Sequence, residues 1–335
     1  MHRPISRRAL LAAPALLALP AIARAQEPAD LDAVLDRAAA LGPLETVLVA
    51  KDGARLAERG YRGHRPGDPT NIKSASKSIV SALVGIAIDK GVLDGTEQPI
   101  APLLAADLPE DPDPLLATVT IGHLLSMQAG LARTSGPNYG RWVASRNWVR
   151  AALAQPFVDA PGGGMLYSTG STHLLSAILT RTAGRSTLAL ARDWLGALEG
   201  FSIASWDRDP QGIYFGGNQM AMSPRALAAF GELYRRGGTT EAGVRLVSEA
   251  WIAQSWTPRT RSVFNGDGYG YGWFLTELGG TPVRYAWGFG GQMLYIAPER
   301  GLVVTMTSST DDPSARTGHR DALHALFAAI AEATA

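Results

Sequence analysis

Both ends of the chain have sequence patterns typical of β-strands, and the middle has patterns typical of helices. Near the N-terminus, "ETVLVAKDGARLAERGYRG" predicts two strands joined at Asp52-Gly53. Beyond residue 268, four more segments are typical of strands: "YGYGWFLTEL", "VRYAW", "MLYIAP" and "LVVTMTS". Because strands from both ends must share one core, we expect an α+β fold. One antiparallel sheet would be built from both chain ends and flanked by helices, with an inserted, mostly α-helical lobe.

Helix signals dominate the middle of the chain. From Ser76 onward, apolar residues recur at helical spacing as far as Gly91, a suitable C-terminal stop. Three later helices have candidate N-caps, at Thr120, Thr172 and Ser223. We expect one domain, with an α/β lobe at about 26–95 and 240–335 and a helical lobe at about 96–239.

Residues 1–25 have the features of an export signal. "SRRALLAAPALLALPAIARA" has a basic start, an apolar run and a small-residue ending. Ser6, Arg7 and Arg8 are typical of the twin-arginine type. The apolar run is shorter than the roughly 20 residues of a membrane span. We therefore expect cleavage before Gln26, export to a bacterial periplasm, and no stable membrane span in the mature protein.

Composition excludes several functions. Removal of residues 1–25 takes away four arginines and no acidic residue, so 27 basic and 30 acidic side chains remain, a net charge of −3. Nucleic-acid binding is not expected from that balance. The chain has no cysteine, which rules out a thiol nucleophile, disulfides and thiolate zinc sites. Its histidines show no tight ligand spacing, so we expect neither a metal nor a cofactor.

The segment "NIKSASKSIV" holds the first candidate site. If a helix begins at about Ser74, Lys77 lies one turn away on the same face, within reach of the serine hydroxyl. A buried lysine can lose its proton and act as a base, whereas an arginine cannot. The alternative makes Ser74 a helix cap and Lys77 a solvated side chain, and Ser-x-x-Lys alone does not decide between them. Lys73 gains no chemical role from the spacing and is interpreted as surface charge or a brace for the loop.

Two downstream segments could complete a site. Tyr167 in "MLYSTGSTHLL" follows three glycines and could exchange a proton with a serine, if a neighbouring cation lowers its pKa. The glycine-rich "YAWGFGGQMLYIAP" could bring a strand N–H close to an oxyanion. Taken singly, a half-buried aromatic residue and a tight turn are the commoner explanations.

Together, in this order and spacing, the three elements resemble the penicillin-recognising serine hydrolases, which include class C β-lactamases, DD-peptidases, related esterases and 6-aminohexanoate-dimer hydrolases. "TIGHLLSMQAGL", "GGNQMAMSPRALAAFGELYRRGG" and "GGQMLYIAPERGLVVTMTSS" resemble recurrent segments of the same family. The resemblance covers roughly residues 45 to 330. It implies a β-lactamase/transpeptidase-like fold.

The resemblance also implies roles for particular residues. Ser74 would be the acylated nucleophile, Lys77 its general base and Tyr167 the proton relay. The third motif of the family would correspond to Ala286, Trp287 and Gly288. The N–H of Phe289 would then donate to the oxyanion alongside the N–H of Ser74.

Several residues are expected to contact the substrate. They are Asn218, Thr169, Trp287, Gly288 and Tyr139. The usual Tyr-x-Asn of the family appears here as Tyr167, Ser168 and Thr169, so an asparagine amide is replaced by a hydroxyl.

The third motif departs from the family pattern in a way that bears on the substrate. Where the family has lysine or histidine to pair with a substrate carboxylate, this chain has no cation. We expect a metal-free serine hydrolase that acts on a small-molecule ester or amide through a Ser74 acyl-enzyme. The alternatives are a β-lactamase or DD-carboxypeptidase and, from a different class, a catalytically silent periplasmic binding protein.

Overall fold

The structure, a computed structural model, describes residues 30–335. The predicted export signal and its cleavage site before Gln26 lie outside the described residues. Among the helices of residues 30–335, none is both long and apolar enough to cross a membrane.

Strands from both chain ends form one antiparallel sheet, as the sequence predicts. Its order is β2-β1-β11-β10-β9-β8-β7-β6, and a smaller sheet has the order β3-β5-β4. The strands are β1 (Leu44–Lys51), β2 (Ala54–Gly60), β3 (Thr70–Asn71), β4 (Ser205–Trp206), β5 (Met220–Met222), β6 (Thr260–Arg261), β7 (Gly268–Tyr269), β8 (Phe274–Leu278), β9 (Thr281–Gly288), β10 (Gln292–Ala297) and β11 (Leu302–Ser308).

The first hairpin shows how local sequence sets this sheet. Asp52 and Gly53 both have positive φ, at 52° and 85°, which suits the two-residue turn between β1 and β2. Strand β1 lies between β2 and β11 and is buried along almost its whole length. The N-terminal and C-terminal parts of the chain therefore share one core.

Helices fill the middle of the chain and cover the sheet. They are α1 (Leu31–Ala38), α2 (Ser76–Asp89), α3 (Ile100–Leu103), α4 (Ile121–Leu125), α5 (Tyr139–Val143), α6 (Trp148–Leu153), α7 (Thr169–Ala183), α8 (Thr187–Trp194), α9 (Pro224–Arg235), α10 (Glu249–Ser255), α11 (Ser314–Thr317) and α12 (His319–Ala333). The predicted caps at Thr120 and Ser223 are confirmed by side-chain hydrogen bonds to His123 N and Ala226 N. The proposed lobe boundaries at residues 96 and 239 stay a prediction.

One helix start was predicted wrongly, and another agrees with the helical spacing from Ser76. The N-cap of α7 is Ser168, and Thr172 lies inside the helix with its hydroxyl unpartnered among the described residues. The hydroxyls of Thr134 and Ser135 satisfy the first N–H groups of α7 from another loop, so tertiary contacts override the local cap signal. Helix α2 begins at Ser76, and Ser74 lies in a preceding 3-10 turn of Lys73–Ala75.

The two sides of the large sheet carry separate apolar cores. Helix α2 and the helices of the middle region pack on one side, where Leu294 and Ile296 of β10 point. Helices α1 and α12 pack on the other, against Met293 and Tyr295 of the same strand. The predicted apolar face of α12 is confirmed by the burial of Leu323, Leu326, Phe327 and Ile330. Since α2 lies in the centre of the first core, nearly all of its residues are buried, Lys77 included.

Candidate active site

Ser74 lies at the junction between β3 and α2. Its side chain is partly exposed, whereas Ala75 and Ser76 immediately after it are buried. Lys73, directly before it, has a φ of +50°, a conformation that costs energy for a residue with a Cβ. Hydrogen bonds from Lys73 N to Asn71 Oδ1 (2.9 Å) and from Lys73 Nζ to Gln219 Oε1 (3.2 Å) hold that conformation. Lys73 is thus a brace for the turn that presents Ser74.

Lys77 lies below Ser74 in the first turn of α2. Only 3% of Lys77 is exposed, and its Nζ is 3.1 Å from Ser74 Oγ. The same nitrogen donates to the Gly217 carbonyl at 2.7 Å and lies 3.4 Å from Thr169 Oγ1. Burial lowers the pKa of Lys77 from 10.5 to about 7. At neutral pH, a large fraction of the side chain is therefore a neutral amine, which can accept a proton from Ser74.

Gly217 brings its carbonyl to Lys77 by a close approach that requires glycine. Its φ is +79°, and a Cβ there would lie 2.7 Å from Lys77 Cγ and 3.0 Å from Nζ. A neutral amine has two N–H bonds and one lone pair. If the N–H groups point to Gly217 O and Thr169 Oγ1, the lone pair faces Ser74 Oγ.

Tyr167 completes a second side of the cluster. The aromatic ring lies 5.2 Å from Lys77 Nζ and is almost wholly buried. Burial raises the pKa of Tyr167 to about 12, and interaction with the Ser74 hydroxyl offsets part of the rise. The condition that a neighbouring cation lowers the pKa of Tyr167 is therefore not met, because desolvation dominates. At neutral pH the Tyr167 phenol keeps its proton and can donate it, while the neutral amine of Lys77 can accept one.

Thr169 stands where the family pattern has an asparagine. Its Oγ1 is 2.9 Å from Ser135 Oγ and 3.4 Å from Lys77 Nζ. Thr169 is only 4% exposed. The structure thus places it in the polar cluster around Lys77 rather than on an open substrate surface.

The third motif lies beside the serine turn, as the family resemblance implies. A Cβ on Gly288 would lie 2.2 Å from the carbonyl oxygen of Ile72 and 3.1 Å from Lys73 Cβ, so β9 abuts the backbone that leads into Ser74. Phe289 follows at once, with an exposed side chain. Trp287 is half-buried and donates from Nε1 to Ser314 Oγ at 3.1 Å. Its ring is covered by the guanidinium of Arg320, 5.4 Å from the ring centroid.

Asn218 and Tyr139, predicted from distant parts of the chain, are brought into contact. Asn218 Nδ2 donates to the Tyr139 hydroxyl at 3.0 Å. Both side chains are half-buried, and Asn218 directly follows Gly217. Tyr139 also helps to line a cavity of about 940 Å³, together with Trp148, Trp206, Asp207 and Gln219. Gln219 links this cavity to the serine turn through its bond to Lys73, whereas Ser74, Lys77 and Asn218 do not line it.

Sequence reasoning missed three participants in this cluster. They are the carbonyl of Gly217, the side chain of Gln219 and the hydroxyl of Ser135, which contact Lys77, Lys73 and Thr169. The only sequence signal for the first two is "GGNQ", a glycine pair that permits close backbone approach.

Three histidines of the described residues have structural partners. His123 forms a capping box with Thr120, and His319 bonds to Ser308 Oγ at 2.9 Å. His173 is fully buried against Asp209, at 3.0 Å. Within residues 30–335, no group of three or more histidine, aspartate or glutamate side chains is arranged to hold a metal ion.

Comparison with known proteins agrees with this geometry. The family model described as Beta-lactamase matches residues 38–329. The chain belongs to the β-lactamase family. This membership confirms the predicted β-lactamase/transpeptidase-like fold and the prediction of a β-lactamase-related serine hydrolase.

Relatives of this β-lactamase-family protein include hydrolases of several kinds. A 6-aminohexanoate-dimer hydrolase from Paenarthrobacter ureafaciens is 26% identical over 306 residues, which cover 82% of this chain and 75% of that protein. A solved hydrolase with promiscuous acyltransferase activity is 17% identical, with 90% and 97% of the two chains covered and a TM-score of 0.72. A D-stereospecific amidohydrolase from a Streptomyces species is 16% identical, with 84% and 94% covered and a TM-score of 0.64. The two solved structures share the fold with this chain.

Proposed function

We propose that this protein hydrolyses a small-molecule ester or amide through an acyl-enzyme on Ser74. The observation that carries the proposal is the buried Lys77 amine 3.1 Å from Ser74 Oγ. Its neutral form removes the hydroxyl proton as the serine oxygen bonds to the substrate carbonyl carbon. The carbonyl electron pair moves onto oxygen and forms a tetrahedral oxyanion.

Collapse of that intermediate requires an acid. The leaving oxygen or nitrogen takes a proton from Tyr167, which the Lys77 ammonium reprotonates, and the bond from the carbonyl carbon breaks. Support comes from the pKa values of the pair, since burial lowers that of Lys77 to about 7 and raises that of Tyr167 to about 12. Water then attacks the acyl-enzyme carbonyl carbon, and Lys77 accepts its proton. The bond from that carbon to Ser74 Oγ breaks, the serine oxygen takes the proton back from Lys77, and the acid product leaves.

The oxyanion would be held by the backbone N–H groups of Ser74 and Phe289. This assignment is supported by the close packing of Gly288 against the backbone before Ser74. Donors fixed in a strand and a turn need no reorganisation when charge develops on the substrate oxygen.

The substrate is proposed to be an ester or small amide rather than a β-lactam or D-alanyl peptide. At the third motif the chain presents Ala286, Trp287 and Gly288, and none of them can pair with a carboxylate. Asn218 and Tyr139 would contact the rest of a linear substrate, which would extend toward the cavity that Tyr139 lines. The relative from Paenarthrobacter ureafaciens, a 6-aminohexanoate-dimer hydrolase, favours the same substrate class.

Kinetic comparison of two substrates tests the proposal. We expect p-nitrophenyl butyrate to be hydrolysed by the wild-type protein and not by Ser74→Ala, with nitrocefin turned over far more slowly. Unchanged ester hydrolysis by Ser74→Ala would overturn the assignment of the nucleophile. Nitrocefin turnover equal to ester turnover would instead favour a β-lactamase, the second candidate that the family match supports.

A silent binding protein on the same scaffold is disfavoured by the burial of Lys77. A binder gains nothing from a desolvated lysine beside a serine, because that burial costs folding free energy.

We also propose export through a twin-arginine signal, supported by the sequence of residues 6–25. N-terminal sequencing of protein from a periplasmic extract should begin at Gln26. Recovery of the chain only from the cytoplasm, with residues 1–25 intact, would contradict export.

A further inference from the structure

A buried histidine and aspartate lie one layer behind the candidate active site. The side chains of His173 and Asp209 are both wholly buried, and Nε2 of the histidine is 3.0 Å from Oδ2 of the aspartate. The rings of Trp142, Trp148 and Phe215 surround the histidine. The mechanism proposed above gives this pair no role, and a buried charge of this kind needs a compensating arrangement.

The hydrogen bonds fix the tautomer of His173. The N–H of Gly216 donates to Nδ1 at 3.3 Å, so Nδ1 is an acceptor and the proton sits on Nε2. Nε2–H therefore donates to Oδ2 of Asp209. The other oxygen, Oδ1, accepts from the N–H groups of Gln211 and Ile213 at 2.8 and 2.9 Å. The polar atoms of both side chains are thus engaged.

These contacts fix the position of one short segment, residues 209–217. Asp209 closes the turn of the hairpin that leads into Phe215, and His173 binds Gly216 from helix α7. The next residue is Gly217, whose carbonyl accepts from Lys77 Nζ at 2.7 Å. A Cβ on Gly216 would lie 2.2 Å from the Thr172 carbonyl, so the segment packs directly on α7.

We propose that His173 and Asp209 are positioning residues that hold the Gly217 carbonyl against Lys77 and so aim the lysine lone pair at Ser74. The chain of contacts runs from Asp209 through His173 to Gly216, and from Gly217 to Lys77. Neither member of the pair touches the reacting atoms. The inference rests on the proposed function only for its catalytic consequence, because the contacts themselves are independent of the substrate.

The groups around Lys77 Nζ determine how a substitution can change the pKa of this lysine. They are the Ser74 and Thr169 hydroxyls, the Gly217 carbonyl and the ring of Tyr167. Burial alone lowers the pKa of Lys77. If the Gly217 segment loosens, water reaches the ammonium and the pKa rises.

Substitution of Asp209 by Asn tests the chain of contacts from Asp209 to Lys77 and changes the shape of the side chain little. The amide can still accept through one oxygen, but its NH₂ group would then face Nε2–H of His173. A switch of tautomer relieves that clash only by turning Nδ1–H against the N–H of Gly216. One contact in the chain must therefore break.

NMR titration of protein labelled with [6-13C]lysine measures the result directly, since the chain has only four lysines. We expect one signal of the wild type to titrate near pH 7 and its midpoint to rise by about one unit or more in Asp209→Asn, as water reaches the amine. His173→Gln provides a second test, because its amide can donate to Asp209 but has no acceptor in the place of Nδ1. It should shift the same signal. An unchanged midpoint in the folded variants would overturn the proposal.

The matched control is His324→Asn, which replaces a half-buried histidine that bonds to Tyr295 at 3.1 Å on the far side of the sheet. It should leave the Lys77 signal unchanged. The readout needs no turnover, so it separates the two proposals. Absence of Ser74 acylation in the wild type would contradict the enzyme function alone, and an unchanged lysine midpoint would contradict the positioning role alone. If both proposals hold, Asp209→Asn should also slow acylation by about tenfold or more.

Discussion

Lys77 and His324 lie on opposite sides of the central sheet, and burial lowers the pKa of each, to about 7 and about 4. The lysine amine contacts a partly exposed serine hydroxyl. The histidine lies between aromatic rings, bonded to Tyr295, and its buried Nε2 has no partner within residues 30–335. A perturbed pKa is therefore not enough to mark a functional site. Of the two groups, only Lys77 contacts a hydroxyl that solvent reaches, that of Ser74.

Replacement of Lys77 by Met should have the largest effect on activity. We expect ester hydrolysis to fall by about 10³-fold or more, because Ser74 loses its base. The free energy of unfolding should rise by roughly 1–3 kcal/mol at pH 6, since a buried ammonium is removed. Steady-state kinetics and urea unfolding measure the two effects. If the variant lost stability as well as activity, the claim that buried Lys77 lowers the free energy of unfolding would be contradicted.

The stability gain of Lys77→Met should depend on pH. The unfolded chain keeps the lysine proton up to about pH 10.5, and the folded chain only up to about 7. Between these values the unfolded state binds more protons, so the wild type becomes more stable as pH rises. The advantage of the variant should therefore shrink from pH 7 to pH 10. A constant advantage would contradict a lowered folded-state pKa.

Gly217→Ala should have the next largest effect. The new Cβ would press on Lys77 Cγ and Nζ at 2.7 and 3.0 Å. We expect acylation to slow by about 10²-fold, because the amine is displaced from Ser74. Gly184→Ala is the matched control: Gly184 also has a positive φ, +62°, but its Cβ would meet nothing within 4 Å. Equal losses of activity in the two variants would show that backbone strain, not displacement of the amine, is responsible.

The pH profile of the wild type should show a smaller effect. Because the neutral amine is the active form, kcat/KM for p-nitrophenyl butyrate should rise with pH through a midpoint near 7. We expect roughly a tenfold increase from pH 6 to pH 8. A rate that falls over this range would contradict Lys77 as the base.

His324→Asn should have the smallest effect on activity, with kcat/KM within about twofold of the wild type. Its effect should instead appear in stability. The unfolded chain binds the His324 proton below about pH 6.5, whereas the folded chain binds it only near 4. The wild type should thus lose stability relative to the variant as pH falls through this range. Thermal unfolding at pH 4.5 and pH 7 measures the difference.

Local sequence predicted much of the fold and half of the site. Residues close together in the sequence determine the turn at Asp52-Gly53 and the strand patterns. The same holds for the three-residue spacing of Ser74 and Lys77. Such signals do not require knowledge of tertiary contacts, and the family resemblance supplied the order of the distant motifs.

What local sequence did not predict comes from distant contacts. The Gly217 carbonyl meets Lys77 across 140 residues of chain, and no local pattern indicates that pairing. Thr172 has a good cap sequence, yet α7 begins earlier because Thr134 and Ser135 supply the hydrogen bonds. The pKa of Tyr167 likewise depends on its burial, which only the packed structure reveals.

Ser74, paired with Lys77, is the proposed nucleophile. Intact-mass spectrometry after exposure to a fluorophosphonate probe shows which serine is modified. Ser76→Ala is the matched control, since Ser76 lies two residues away and its buried hydroxyl donates to the Lys73 carbonyl at 2.7 Å. We predict a single adduct on the wild type and on Ser76→Ala, and none on Ser74→Ala. A wild type that stays unmodified, or a Ser74→Ala variant that is still labelled, would contradict the account.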